Sequence, residues 1–592
     1  MKFLKMFLAA LLAVIVGGVL STILWIMILV GVMASSMDSS VYVKPHSILV
    51  INFNEDITDT PLNDPFAQFD IMSMNINENL SLYQALCAID AAKRDDRIDG
   101  IYIRMTGGGL VNAATIEELR AAVADFKAES GKFVLAYNET YTQAGYYFAS
   151  VADKVYIQPE GGMEWSGMSF NVTFFKGLLD KLDIEVEVFR PTACKYKSAV
   201  EPYILTKMSE ANRQQMQELA DSMWETIAGE VSQSRGISVE TLNALADNLA
   251  VTLPEEAVAN GLVDGAVYED QMDDILAEHG AETGKDGKYN YISLSKYASQ
   301  VSPAGNLKAD KIALVYAEGE IVDGFGGSGK IYGNTLAAKI KSVREDEDIK
   351  AVVLRVNSPG GSALASDIVW RELELLKAEK PVIVSMGNYA ASGGYYISAP
   401  ADVIVADKLT LTGSIGVFGI MPYAGKFLNN KLGVTFDTVT TNKNSNVGGL
   451  TEPLTPAARA TLMRGVDKVY TTFTTLVSEG RNLPIERVLD IAGGRVWSGN
   501  EGLEIGLVDG IGGLQTALAL AADKAGIADN YRIEEVVDQP DYFSQLFSTL
   551  NARIATRYMQ SRLGIFYGEY EKLKEVIDRQ GIQTYCPYTF NF

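Results

Sequence analysis

The chain has 592 residues, 47% of them apolar, with two histidines, three cysteines and a formal net charge of −23. That length exceeds one hydrophobic core and points to several units of roughly 150 residues each. The acidic balance leaves no broad basic surface for a phosphate backbone, which excludes nucleic acid as a partner; the scattered cysteines Cys87, Cys194 and Cys586 offer neither a disulfide framework nor a thiolate metal site.

From Met6 to Ala34 the sequence is uncharged and rich in Leu, Val, Ile, Ala, Phe and Met, enough helix to span a hydrocarbon core of about 30 Å. Lys2 and Lys5 precede this run and Asp38 follows it, so the positive-inside bias keeps the N-terminus in the cytoplasm and puts the body outside. Residues 1–36 therefore read as a cytoplasmic N-terminus and an anchor in the cytoplasmic membrane. The small residues Ala34, Ser35 and Ser36 also suit a cleaved signal peptide, but its apolar region would run about 7–15 residues, and this one is about twice as long. No later segment is comparable, so the expected topology is single-pass.

The remainder follows one plan twice, over residues 46–275 and 308–525. Each copy opens on a β-rich run, SILVINFNEDI and then KIALVYAEGEI. Next come a helix-like stretch, a strand and a glycine turn: DDRIDGIYIRMTGGG against DEDIKAVVLRVNSPGGS. A second helix and strand follow, KFVLAYNETYTQAGYYFASVADKVYI against KPVIVSMGNYAASGGYYISAPADVIV, and GLVDG recurs late in both. Apolar strands alternating with helical patterns predict α/β repeats with buried, mainly parallel sheets. Long amphipathic helices are expected over about 208–247 and 455–480. Residues 276–307 are polar and read as a connector, and 526–592 as a helical tail.

The histidines, His46 and His279, sit in no motif suited to a general base, so an acyl-transfer enzyme built on this chain needs another. Ser392 falls where the strand PVIVSM gives way to small residues and a helix-like run. That is a helix N-terminus, where free N–H groups favour a developing anion; taken alone, it reads first as a helix-capping serine. The turn Asn357-Ser358-Pro359-Gly360-Gly361-Ser362 ends the neighbouring strand on the same sheet edge. Gly360, Gly361 and Gly393 are thus candidate oxyanion donors, although a tight turn also explains Pro-Gly-Gly. In the first copy Gln143 replaces the serine, so that copy carries no hydrolase of its own at this position.

The segment Cys194-Lys195-Tyr196-Lys197-Ser198-Ala199-Val200-Glu201-Pro202, with SPGGS, ASGGYYIS and LTGSIGVFG, resembles the signal peptide peptidase (protease IV, SppA) family in its long tandem form. The likeness spans nearly the whole chain. It implies tandem repeats of the crotonase/Clp-protease class behind one membrane helix, Ser392 as nucleophile and Lys197, not Lys195, as general base. A lysine ordinarily holds its proton to about pH 10.4, and burial is the means of lowering that value. The second copy has Asn444 opposite Lys197, so each repeat supplies one half of a Ser-Lys dyad, and the site is expected at their seam. Ser414, in Leu411-Thr412-Gly413-Ser414-Ile415-Gly416, is a candidate for orienting the lysine amine.

These features together predict a serine endopeptidase acting on the extracytoplasmic side of the membrane, without metal or organic cofactor. The resemblance implies remnant signal peptides as substrates and a homo-oligomer of four chains. An acyl-CoA enzyme of the crotonase type accounts for the fold but not for Lys197 and Ser392, and a silent peptide-binding scaffold has no need of either.

Overall fold

A parallel sheet covered on both faces requires strands apolar on both sides, and the runs read above as strand cores meet that requirement. The computed structural model describes residues 42–537, apart from 53–56, 62–68, 71–74, 77–79, 106–111, 302–307, 328, 448 and 450, together with 582–586, 17 and 21. The chain divides into two units, Met1–Pro45 and His46–Phe592. The expected anchor, 6–34, lies almost wholly outside the described residues. Among those described, no helix is long and apolar enough to cross a membrane.

The second unit contains two sheets of matching order, the first parallel and the second parallel except for the antiparallel edge strand Val496–Ser498. In the first sheet the strands run Gly265–Ala266, Lys154–Met163, Phe133–Tyr141, Ile98–Arg104, Ser47–Ile51, Asn290–Ser293. In the second, Val382–Ala391, Ile349–Ser358, Asp310–Glu318 and Tyr531–Val536 form the corresponding centre and edge, flanked by Val403–Ala406 and Leu411–Gly413. Leu354, Val353 and Val384 are fully buried between helical layers.

Three expectations change. The connector 276–307 supplies Asn290–Ser293, which pairs parallel with Ser47–Ile51. Tyr531–Val536 pairs the same way with Asp310–Glu318, at the start of the expected helical tail. Each repeat therefore closes with an edge strand beyond GLVDG; short, half-polar edge strands between Asp- and Gly-rich flanks resemble linkers in sequence. The other described part of the tail, Ile582–Tyr585, is also a strand, whereas the rest of the expected helical tail, 538–581 and 587–592, lies outside the described residues. The helix expected over 208–247 is two, Glu210–Arg235 and Val239–Asp247. Gly236 ends the first at φ +68° and the Ser238 side chain caps the second.

A third sheet joins the repeats, in the order Ile331–Tyr332, Ile321–Val322, Gly360–Ser362, Ile582–Tyr585, Phe418–Tyr423, Glu185–Phe189. The last strand belongs to the first repeat and pairs antiparallel with Phe418–Tyr423.

Elsewhere the seam is ionic. Arg355, 1% exposed in the strand Ile349–Ser358, donates from Nε to Asp59 at 2.7 Å and from Nη2 to Glu118 at 2.6 Å. Glu118 also accepts from the Leu514 N–H at 2.6 Å, and Glu117 from the N–H groups of Lys408 and Leu409 at 3.1 and 2.9 Å. First-repeat carboxylates thus receive second-repeat donors. Burial pulls the Arg355 proton affinity down, but Asp59 and Glu118 outweigh it and hold the guanidinium above its usual range.

Candidate active site

The strand Val382–Ala391 runs into Ser392, which stands at the N-cap position of the short helix Gly393–Ser398 without a side-chain capping bond, at φ +56° and ψ −110°. A non-glycine residue in that region is strained. Here it is held by Ser392 N–H donating to the Gly413 carbonyl at 2.8 Å and by Tyr396 N–H donating to the Ser392 carbonyl at 2.8 Å. The elbow leaves the Ser392 hydroxyl facing inward, 0% exposed.

Lys197 reaches that hydroxyl from the other repeat, 195 residues away in the chain, with Nζ 2.7 Å from Ser392 Oγ. The same nitrogen donates to Ser414 Oγ at 2.8 Å and to the Ser414 carbonyl at 2.9 Å. A neutral amine has two N–H bonds and one lone pair. With both N–H bonds spent on Ser414, the lone pair is left for the Ser392 hydroxyl. Burial lowers the Lys197 pKa from 10.5 to about 8, against small opposing effects of Cys586 and Cys194.

The backbone around Lys197 is pinned from three sides. Tyr196 N–H donates to the Gly493 carbonyl at 2.9 Å, and Arg190 Nη1 to the Lys197 carbonyl at 2.9 Å. Gln215, on Glu210–Arg235, donates to the Tyr196 carbonyl at 3.0 Å and to Ser198 Oγ at 2.8 Å. Gly494 has φ +79°, and a Cβ there would stand 2.6 Å from the Lys197 Cβ. Ser414, itself at φ +50°, donates its N–H to the Arg495 carbonyl at 2.7 Å. Gln215 and Gly493-Gly494 escaped the sequence reading. The Gly-Gly pair of IAGGRVWSG, where the first repeat has Asn248-Leu249 with Leu249 also at positive φ, was the signal available.

Gly360 and Gly393 meet beside Ser392: a Cβ on Gly360 would lie 2.6 Å from the Gly393 nitrogen. Gly360 has φ +97°, and its own N–H donates to Ser358 Oγ at 3.1 Å. Gly361 lies one step further along, in the sheet ladder opposite Ile321 and Thr584. Lys195 is exposed, its amine 4.9 Å above the Tyr196 ring. In the first repeat Gln143 is engaged internally, accepting from Gly167 N–H at 3.0 Å and donating to the Gly167 carbonyl at 3.1 Å. Asn444 is on the surface, accepting from Thr455 Oγ1. His46 faces Asp99 and Glu282, and His279 bonds the Ile275 carbonyl, so both have structural partners. Among the described residues no cluster suited to a metal ion occurs.

An amine poised on a buried hydroxyl, beside a helix N-terminus and a glycine turn, is equipped for acyl transfer. The sequence profile described as Peptidase family S49 matches residues 127–282 and 374–528, one stretch in each repeat. The chain is 34% identical over 494 residues to Protease 4 of Salmonella typhi, covering 82% of this chain and 78% of that protein. It is 36% identical over 455 residues to Protease 4 of Haemophilus influenzae, covering 75% and 73%. A mutant ClpP1 from Listeria monocytogenes matches 35% of this chain and 94% of its own at 14% identity, with a TM-score of 0.24.

Proposed function

The chain belongs to Peptidase family S49 and is a serine peptidase; from that premise we propose that Ser392 is its nucleophile, Lys197 its general base, and extended apolar peptides its substrates. The observation that carries this reading is the 2.7 Å approach of Lys197 Nζ to Ser392 Oγ, both residues being buried. Neutral Lys197 takes the Ser392 proton as Oγ attacks the peptide carbonyl. Its protonated form then gives that proton to the departing amine, and water, activated by the same nitrogen, releases the acyl group. Ser414 keeps the amine aimed, and the Gly393 N–H, with Gly360 beside it, cradles the oxyanion. Gly361 supports the same turn.

Remnant signal peptides fit as substrates because the expected helix over 6–34 keeps the peptidase at a membrane, with the body on the extracytoplasmic side. The family resemblance supports a homo-oligomer of four chains. Retention of the full chain, and release of a chain beginning at residue 42, in carbonate-washed membranes checks the anchor; equal release of both would remove it.

A base with a pKa of about 8 gives a distinctive pH profile. Below that value Lys197 is protonated and cannot accept the serine proton, so kcat/KM should fall about tenfold per pH unit. Peptide hydrolysis measured from pH 6 to 9 should therefore rise and level off above about 8. A flat profile, or an inflection in the usual histidine range, would count against Lys197.

Gly360→Ala is expected to lower kcat by about 10²–10³-fold, because the new methyl would press on the Gly393 nitrogen and on the Thr584 carbonyl, 2.1 Å away. Unchanged kcat in a folded variant would exclude the turn from oxyanion binding.

A further inference from the structure

Lys197 sits in the loop between the strand Glu185–Phe189 and the short 3₁₀ turn Ser198–Val200, where no helix or sheet ladder fixes the backbone. Polar groups in such a loop take their partners from elsewhere. Gln215, 1% exposed on the long helix Glu210–Arg235, supplies them on both flanks of the lysine. Its Nε2 donates to the Tyr196 carbonyl at 3.0 Å and to Ser198 Oγ at 2.8 Å, while its Oε1 accepts from the Val496 N–H at 3.4 Å. Val496 belongs to the second repeat. It stands opposite Gly413 in the antiparallel pair of Val496–Ser498 with Leu411–Gly413, and the carbonyl of the residue before it, Arg495, holds the Ser414 N–H.

One side chain therefore closes a ring. From Lys197 the path runs through Gln215 to Val496 and Arg495, on to Ser414, and from Ser414 Oγ back to the Lys197 amine at 2.8 Å. The ring forms only with the amide one way round. The Tyr196 carbonyl accepts and the Val496 N–H donates, and neither can reverse, so the nitrogen of Gln215 faces the lysine loop and its oxygen faces the second repeat. Asn212, one turn back on the helix, fits that orientation: its Oδ1 accepts from Gln215 Nε2 at 3.1 Å, and its Nδ2 donates to Glu201 Oε2 at 3.0 Å. The Glu201 carboxylate, four residues after Lys197, is held in turn by the Ser209 N–H at 3.1 Å and Ser209 Oγ at 2.5 Å. Glu201, Asn212 and Gln215 are all buried, so a missing partner among them carries its desolvation cost in full.

We infer that Gln215 is a positioning residue for the lysine base: its amide locks the loop of Lys197 in the first repeat to the strand behind Ser414 in the second, so that the amine meets the Ser392 hydroxyl. The inference rests on the proposed roles of Ser392 and Lys197. Gln215 acts on the backbone that carries the base and not on the reacting atoms. A misplacement of about 1 Å at a reacting group costs on the order of 10²-fold in rate, so loss of this amide should appear in kcat and not in KM.

The test compares peptide hydrolysis by the full chain and by Gln215→Met, which fills the same space without the amide. A fall in kcat of about 10²-fold is expected, with KM within about twofold of the parent. The pH at which activity levels off should also rise, because an amine no longer held in its buried place regains proton affinity that burial took from it. Ser222→Ala is the control: it removes another bond from the same helix to the same strand, Ser222 Oγ to Ser498 Oγ at 2.7 Å, and should leave kcat within about twofold. An equal loss in Ser222→Ala would overturn the inference, as would parental kcat and pH profile in a Gln215→Met protein that melts with the parent. Should Gln215→Met fail to fold, Gln215→Asn, one methylene too short to reach both flanks, carries the same expectation and the same refutation. Adding Gln215→Met to Lys197→Ala separates the inference from the mechanism beneath it. A residue that acts through Lys197 adds no loss once the amine is gone, whereas a further fall of about tenfold or more would overturn the positioning role. Full turnover by Lys197→Ala alone would remove the base, and its positioning with it.

Discussion

Lys197→Ala is expected to reduce kcat for peptide hydrolysis by about 10³–10⁴-fold, because the site then holds no group able to take the Ser392 proton. Ser392→Ala should cost at least as much, and the double variant little more than either alone, since two groups that act as a unit are lost only once. Lys197→Arg should give no rescue, because a guanidinium stays protonated and cannot serve as a base. Lys195→Ala should stay within about twofold of the parent, its amine being exposed above Tyr196. Steady-state hydrolysis of a peptide, with circular dichroism to confirm folding, decides among these outcomes; substantial turnover by Lys197→Ala would end the lysine-base mechanism. The same lysine is a burden on the fold. It holds its proton to pH 10.5 when unfolded but only to about 8 when folded, so the unfolded chain binds more protons between these values and stability rises with pH there. Below pH 8 the full cost is present, and Lys197→Met should recover roughly 3 kcal/mol of stability while abolishing activity.

Arg355→Met should cost about 3–5 kcal/mol of stability, read as an earlier urea midpoint, since it strands carboxylates that now share one buried guanidinium. Asp59 and Glu118 both bond that group, and both come from the opposite repeat. Arg355→Lys should fall between parent and Met, keeping the charge but losing the fork that reaches two partners at once. A midpoint unchanged in Arg355→Met would mean that the apolar sheets alone hold the repeats together.

The sequence carried the strands and helices of both repeats because their periodicities are strong and occur twice, each copy checking the other. Ser392 stood out where an apolar strand gives way to small residues, whereas Lys197 and the loop of Ser414 were legible through the family resemblance of YKSAVEP and LTGSIG. What the sequence concealed depends on distance along the chain. Nothing in the pattern of Asp59 or Glu118 separates a buried partner of Arg355 from a solvated surface charge, and those partners lie 296 and 237 residues away. The one local sign was an arginine in the middle of AVVLRV, where a strand covered on both faces has no room for an unpaired charge. Asn290–Ser293 and Tyr531–Val536 were hidden for another reason: edge strands draw their order from a neighbour's free N–H and C=O groups more than from their own side chains.

The separation of 195 positions between Lys197 and Ser392 also sets a clock. A ribosome adding roughly 5–20 residues per second makes the amine roughly 10–40 s before the hydroxyl exists, and the closing strand Tyr531–Val536 emerges later still. Throughout that interval the nascent chain carries an unarmed lysine and no nucleophile. Until residue 392 has been added, the chain holds only one half of the proposed dyad and cannot cut itself.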